Sequence, residues 1–257
     1  MSGAAPRALA LALLAVPALA PAQTMLDQEQ RLIDIHCLLL DLPAVQAPGA
    51  LAEWRLGLGL EAIAIPDIDG TTGSKVQLTA SDRTKVFPRP RLALGLPAPE
   101  GFRAFVGASY VPPIEVRDAS TNEIALEAGL AWVPDPFRLG IRAHGAYAYS
   151  KAPVTDPATR DSLETSVYGA ELSAGWSFAV PGARLDVQPY AGVGVVSLHG
   201  RFRVQSDGYV LESRYTGASL HGGLRLFLAG AWEGVAEVAW YPGRLVHPNF
   251  RIGYVFP

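Results

Sequence analysis

Three places in this sequence hold residue types able to do chemistry. Ser219 and His221 stand two residues apart, which on an extended strand puts both on one face, and Glu233 and Glu237 follow within a further strand's length. A hydroxyl, an imidazole and a carboxylate so placed are the parts of a nucleophile, its base and the group that orients the base. The plainer reading is a network of polar groups, and we prefer it. Asp67-Ile68-Asp69-Gly70 has the paired carboxylates and glycine turn that open a calcium loop, but the acidic ligands that should follow are missing, so it reads as a polar loop. His36, His144, His199, His221 and His247 are scattered, with no pair at metal-ligand spacing. Gly57 with Gly59, and Gly192 with Gly194, precede no helix, so they form no dinucleotide loop and more simply make room for large neighbours. No metal, cofactor or catalytic residue is expected.

The elements that position these groups follow from composition and periodicity. A chain of 257 residues suits a single all-β domain. Apolar residues make up 49% of it, yet no run long enough for a transmembrane helix follows the N-terminus. A net charge of −3, from 21 basic and 24 acidic side chains, gives no cationic field for nucleic acid. The 26 glycines and 21 prolines are spread as many short strands and turns require. Residues 1–22 carry Arg7, then an apolar stretch from Ala8 to Ala20, then small residues at Ala18, Ala20 and Ala22. That is the layout of a secretory signal, with cleavage expected near Ala20 or Ala22. The single cysteine, Cys37, excludes an intramolecular disulfide, and the residues before it do not form a lipid-attachment motif.

From Leu51 onward, period-two alternation recurs over about ten residues at a time. Trp54, Leu56, Leu58 and Leu60 lie opposite Arg55, Gly57, Gly59 and Glu61; Leu92, Leu94 and Leu96 lie opposite Arg89, Arg91 and Gly95. The same design sets Glu127 against Leu126 and Leu130, Arg138, Arg142 and His144 against Phe137, Leu139 and Ile141, and Glu171 against Leu172. It continues with Arg184, Asp186, Gln188 and Tyr190 against Leu185 and Val187, with Ser219, His221 and Arg225 against Leu220, Leu224 and Leu226, and with Glu233 and Glu237 against Trp232 and Val238. Short turns at Pro97–Gly101, Pro134–Pro136, Val180–Gly182 and Ala229–Ala231 alternate with longer loops near Asp67–Thr84, Pro113–Thr121, Lys151–Ser162, Gly200–Tyr209 and Pro242–Pro248. The fold class predicted is all-β: a transmembrane antiparallel up-and-down β-barrel of about ten strands, within a range of eight to twelve, over residues 51–257. Aromatic residues toward strand ends (Trp54, Tyr110, Trp132, Tyr149, Trp176, Trp232, Trp240, Tyr241) favour this over a secreted soluble sandwich.

The last strand carries Phe250, Ile252, Tyr254 and Phe256 at every second position, and this segment resembles the terminal strand signal of Gram-negative outer-membrane β-barrel proteins. Pro257 departs from the usual terminal aromatic residue. The resemblance implies location in the bacterial outer membrane, among its lipids and lipopolysaccharide, with the barrel assembly machinery and periplasmic chaperones as partners and Phe250, Ile252, Tyr254 and Phe256 as the assembly signal. It also implies that short turns and both termini face the periplasm. Outer-membrane proteases of the omptin type share the strand number, but their catalytic motifs have no match here.

The expected lumen lining is Arg55, Glu61, Arg89, Arg91, Glu127, Arg138, Arg142, His144, Glu171, Arg184, Asp186, His221, Arg225, Glu233 and Glu237, groups of both signs able to pair across strands. Ten strands so lined leave at most a narrow passage, biased toward anions by the arginines. Residues 23–50 form a periplasmic N-terminal segment: Leu26, Leu32, Ile33, Ile35 and Leu39 share one side of a helix before Pro43, which fits a short helix, a plug, or more simply a tether. The functional expectation is a non-enzymatic narrow pore or a structural, surface-displaying barrel whose external ligand is open; the alternative is a barrel hydrolase with a lumen or rim site.

Overall fold

A computed structural model describes residues 25–41, 45–64, 86–116, 119–155 and 158–257. The expected signal segment, and the Asp67–Thr84 loop with its acidic start, lie outside them. The strands are β1 (Leu56–Ala64), β2 (Val86–Leu96), β3 (Phe102–Val116), β4 (Ala119–Trp132), β5 (Phe137–Ala152), β6 (Asp161–Trp176), β7 (Phe178–Ala179), β8 (Leu185–Arg203), β9 (Val210–Leu228), β10 (Trp232–Tyr241) and β11 (Leu245–Val255). The two-residue β7 prolongs the β6 stave past Ser177 and pairs with β8, so the wall has ten staves. Every neighbour is antiparallel, and the ring closes where β1 meets β11, from Gly57↔Val255 to Ile63↔Asn249. Closure leaves no strand edge unpaired, the condition for backbone to lie in hydrocarbon.

The alternation read from the sequence sorts the two faces. Ile252, Leu60 and Ile141 on the outer face are 69%, 56% and 58% exposed, whereas Glu61 and Arg89 on the inner face have no exposure. A water-soluble fold does the reverse. Trp132, Phe137, Tyr168, Trp176, Trp232 and Trp240 are exposed on the outer face, as an interfacial girdle requires, whereas Tyr241, expected among them, is corrected: it falls on the inner parity of β10 and is buried in the lumen.

The connections differ from expectation at the long-loop end. The segment expected as a loop at Pro113–Thr121 is mostly strand: β3 and β4 run on, with one extra residue in β3 between Val111 and Ile114. Pro112 and Pro113 have no N–H for the ladder, and a bulge absorbs the mismatch. The Pro242–Pro248 loop shrinks to a turn over 242–244, because β11 begins at Leu245. β8 likewise carries on to Arg203.

The helix α1 (Met25–Leu39) contains no glycine or proline, and Asp27 in its first turn is a charge that suits its dipole. It lies inside the barrel rather than at the short-turn mouth. Ile33, Cys37 and Leu38 are buried in one core with Val167 of β6, Val196 and Leu198 of β8, Leu211 of β9 and Tyr241 of β10. Gly200 makes that approach possible: a Cβ there would stand 2.4 Å from Ile33 Cγ2 and 2.7 Å from Cys37 Sγ. Gln30 near the helix start donates to the Glu212 carbonyl at 3.3 Å, beside the long-loop end of β9. Leu51 packs on Ala93 and Val255 at the opposite end. The segment therefore runs the length of the lumen, and residue 25 lies at the end opposite Val255. The expectation that both termini face one side concerns, at the N-terminus, residues outside those described.

Candidate functional site: a filled lumen with a cationic mouth

The middle of the lumen is an ion lattice built by strand register. Glu61 of β1 lies directly across from Arg89 of β2. Arg89 donates from Nε to Glu61 Oε2 at 2.7 Å and from Nη1 to Glu123 Oε1 at 2.9 Å. Arg91 pairs with Glu61 and donates from Nε to Glu127 Oε1 at 2.7 Å. Arg142 joins Glu127 Oε2 at 2.7 Å to Glu171 Oε2 at 2.8 Å. The lattice steps from β2 to β4 across β3 because Gly107 stands between them; a Cβ there would sit 2.4 Å from Glu127 Oε1. A second group has Arg225 Nε and Arg251 Nη2 each 2.5 Å from one oxygen of Glu233. Five arginines thus meet five glutamates, the pairing that dry charges need.

The threading segment that follows α1 is held mainly by its backbone. The carbonyls of Asp41, Pro48, Gly49 and Ala50 accept from Arg89 Nη1 (3.1 Å), Gln188 Nε2 (3.0 Å), Arg103 Nη1 (2.8 Å) and Arg225 Nη2 (3.4 Å). A segment that belongs to no strand has no ladder partner, so wall side chains supply the donors. Asp41 adds a side-chain latch: Oδ1 lies 2.8 Å from His144 Nε2, and Oδ2 accepts from the Tyr241 hydroxyl at 2.8 Å. Burial alone would raise the Asp41 carboxyl, but His144, Tyr241 and Arg142 outweigh it and hold it at about 2. Nearer the long-loop end Asp34 accepts from Ser213 at 2.7 Å and faces Arg244 at 3.2 Å. Burial nevertheless raises the Asp34 carboxyl. Burial pushes the Cys37 thiol up to about 12, although Thr165 Oγ1 lies 3.4 Å from its sulfur and opposes the shift.

The Ser219 and His221 pair does not assemble. No hydrogen bond joins the two, and both ring nitrogens of His221 are buried without a partner. Glu233 is taken by Arg225 and Arg251, and Glu237 accepts from the Tyr190 hydroxyl at 2.8 Å. Gly192 and Gly194 admit these groups: a Cβ on the first would lie 2.3 Å from His221 Nε2, and on the second 2.7 Å from Ser219 Oγ. Among the described residues no group of three or more His, Cys, Asp or Glu is placed to hold a metal.

Of the expected lining, Glu61, Arg89, Arg91, Glu127, Arg142, Glu171, Arg225 and Glu233 form the ion lattice, and His144 forms the latch. Arg55, Arg138 and Asp186 border a hollow at the short-turn mouth. Arg184 is corrected: it stands exposed in the turn before β8, where strand alternation no longer aims it inward. Sequence reasoning placed Arg103 and Glu123 on the inner face without giving them a role, and missed Asp41 and Arg251. Arg103, Glu123 and Arg251 were legible as inward positions of strands, whereas Asp41 belongs to no strand and carried no such signal.

These features define a closed transmembrane β-barrel of the kind found in Gram-negative outer membranes, with its own N-terminal segment inside. No protein-family model and no curated protein sequence matches the chain. Among solved structures it is similar to the translocator domain of the autotransporter NalP from Neisseria meningitidis, at 12% identity, covering 90% of this chain and 95% of that one, with a TM-score of 0.42. It is also similar to the N-terminal β-barrel domain of OprF from Pseudomonas aeruginosa, at 12% identity over 78% and 97% of the chains, TM-score 0.30. A third is Ail of Yersinia pestis, at 9% identity over 80% and 100%, TM-score 0.31.

Proposed function

We propose that the protein is an integral outer-membrane barrel that rests closed, with residues 25–50 as a plug whose displacement opens a narrow conduit. The observation that carries this reading is the attachment of the plug. Its carbonyls are held by four wall side chains and its carboxylates Asp34 and Asp41 by Ser213, Arg244, His144 and Tyr241, a set of polar contacts that can be exchanged for water without dismantling the wall. The exposed apolar belt supports a lipid surround; on this reading the barrel sits among outer-membrane lipids and lipopolysaccharide, delivered by a cleaved signal at 1–22 and inserted by the barrel assembly machinery with periplasmic chaperones. On this reading the short turns face the periplasm, the plug presents its leading end to the exterior, and the protein is not an enzyme.

The test is a clamp. Cys37 Sγ lies 3.4 Å from Thr165 Oγ1, so Thr165→Cys puts a second thiol beside it. In a planar bilayer under mild urea, the reduced variant and the wild type should show small conductance steps, and the oxidised variant should be silent until a reductant is added. Equal conductance in the oxidised and reduced states, with the disulfide verified by mass, would sink the plug.

A further inference from the structure

We propose that the short-turn mouth of the barrel is a binding site for a phosphate-type oxyanion. The mouth holds a hollow of about 560 Å³ bordered by Arg55, Arg103, Arg138 and Arg225, with Ser177 and Gln188 as further polar neighbours. In the mid-lumen every arginine of the lattice reaches a carboxylate within 2.9 Å. At the mouth the pattern breaks. Among the described residues Arg55 donates only to the Phe256 carbonyl, at 3.3 Å, and Arg103 only to the Gly49 carbonyl, at 2.8 Å. Arg138 donates to the carbonyls of Val133, Pro134 and Phe137, and its nearest carboxylate, Asp135, is 3.6 Å away with a side chain 88% exposed. Asp186, the other acid on the hollow, makes no ion pair among the described residues. Only Arg225 is matched, by Glu233.

Three guanidinium groups facing one hollow, two without a carboxylate and the third with only a solvent-exposed one, repel one another, and a multiply charged anion would relieve that repulsion. Guanidinium forks match the oxygens of phosphate two at a time. Volume decides between a bare ion and something larger: at roughly 30 Å³ per water the hollow has space for a phosphate together with the group that carries it. The site needs no movement of the plug, so it stands or falls apart from the conduit reading.

The experiment is a titration of the refolded full chain with inorganic phosphate, in a detergent that contains no phosphorus, followed by phosphorus NMR and calorimetry. Saturable binding is expected, weakened about tenfold by Arg103→Gln and by Arg55→Gln, each loss being that of a charge-assisted hydrogen bond. Arg160→Gln at the opposite end changes net charge equally and should leave binding intact. Because Arg103 also holds Gly49, heat-dependent gel mobility checks that the variants keep the barrel, and Arg55→Gln repeats the test at a residue that does not touch the plug. Absence of saturable binding, or equal loss in Arg160→Gln, overturns the proposal. Nanodiscs separate the two sources of phosphate: displacement of the bound ion by phosphatidylglycerol but not by phosphatidylcholine assigns the site to a lipid headgroup, and no displacement by either assigns it to a soluble phosphate.

Discussion

The lumen is filled in two different ways on its two sides. The wall from β1 to β5 is lined by Glu61, Arg89, Arg91, Glu123, Glu127 and Arg142, held in place by one another. The wall from β6 to β10 turns Val167, Val196, Leu198, Leu211 and Tyr241 inward, and these are covered by a separate piece of chain. A charged wall is complete when its signs balance. An apolar wall needs something laid against it, and here that is α1. The difference teaches that the barrel does not need the plug everywhere, only where its inner face is apolar.

The comparison breaks first at Glu127. Glu127→Gln removes the carboxylate shared by Arg91 and Arg142 and leaves two buried cations underpaired, which should cost about 3–5 kcal/mol. The midpoint of urea unfolding read by gel mobility would register it. On the apolar side, Leu38→Ala should cost about 2–4 kcal/mol through the cavity it leaves against the wall. The same variant should speed maleimide labelling of Cys37, which in the resting protein is buried and poorly ionised. The Asp41 latch ties the two sides together. Its carboxyl is depressed from an ordinary 3.8 to about 2, so its contribution, about 2 kcal/mol, is complete above about pH 4 and fades as pH falls toward 2. Unfolding midpoints of wild type and Asp41→Asn measured across that range should converge at the acid end; parallel curves would show that Asp41 is not the latch. The smallest effect belongs to the exposed Arg160 and Glu115 pair, where Arg160→Ala should change stability by less than about 1 kcal/mol.

Strand number and the sorting of faces were legible because period two is set by backbone geometry alone. The inward direction of Glu61, Arg91 or Glu233 follows from Leu60, Leu92 and Trp232 beside them. The lengths of the long-loop connections were not legible, since prolines at 112, 113, 242 and 248 read as loop while the ladder tolerates them at a bulge, a turn and a strand position. The course of the plug was hidden for a different reason. From Ile33 onward the enclosed helix is buried on most sides, including Asp34 and Cys37, so a one-sided stripe describes it poorly. A sign was present on the other partner: Val196 and Leu198 are apolar on the inner parity of β8, where a water-filled lumen would call for polar groups.

The plug joins the wall at β1, and β1 is one side of the β1–β11 seam. A ring that zipped up first would have to admit the leading residues through its finished bore and drag α1 past the arginine lattice. A sheet that stays open until its last pairing can instead curl around a helix already in position. The seam is then the clasp of the molecule, and the plug is tied to one of the two strands that meet in it.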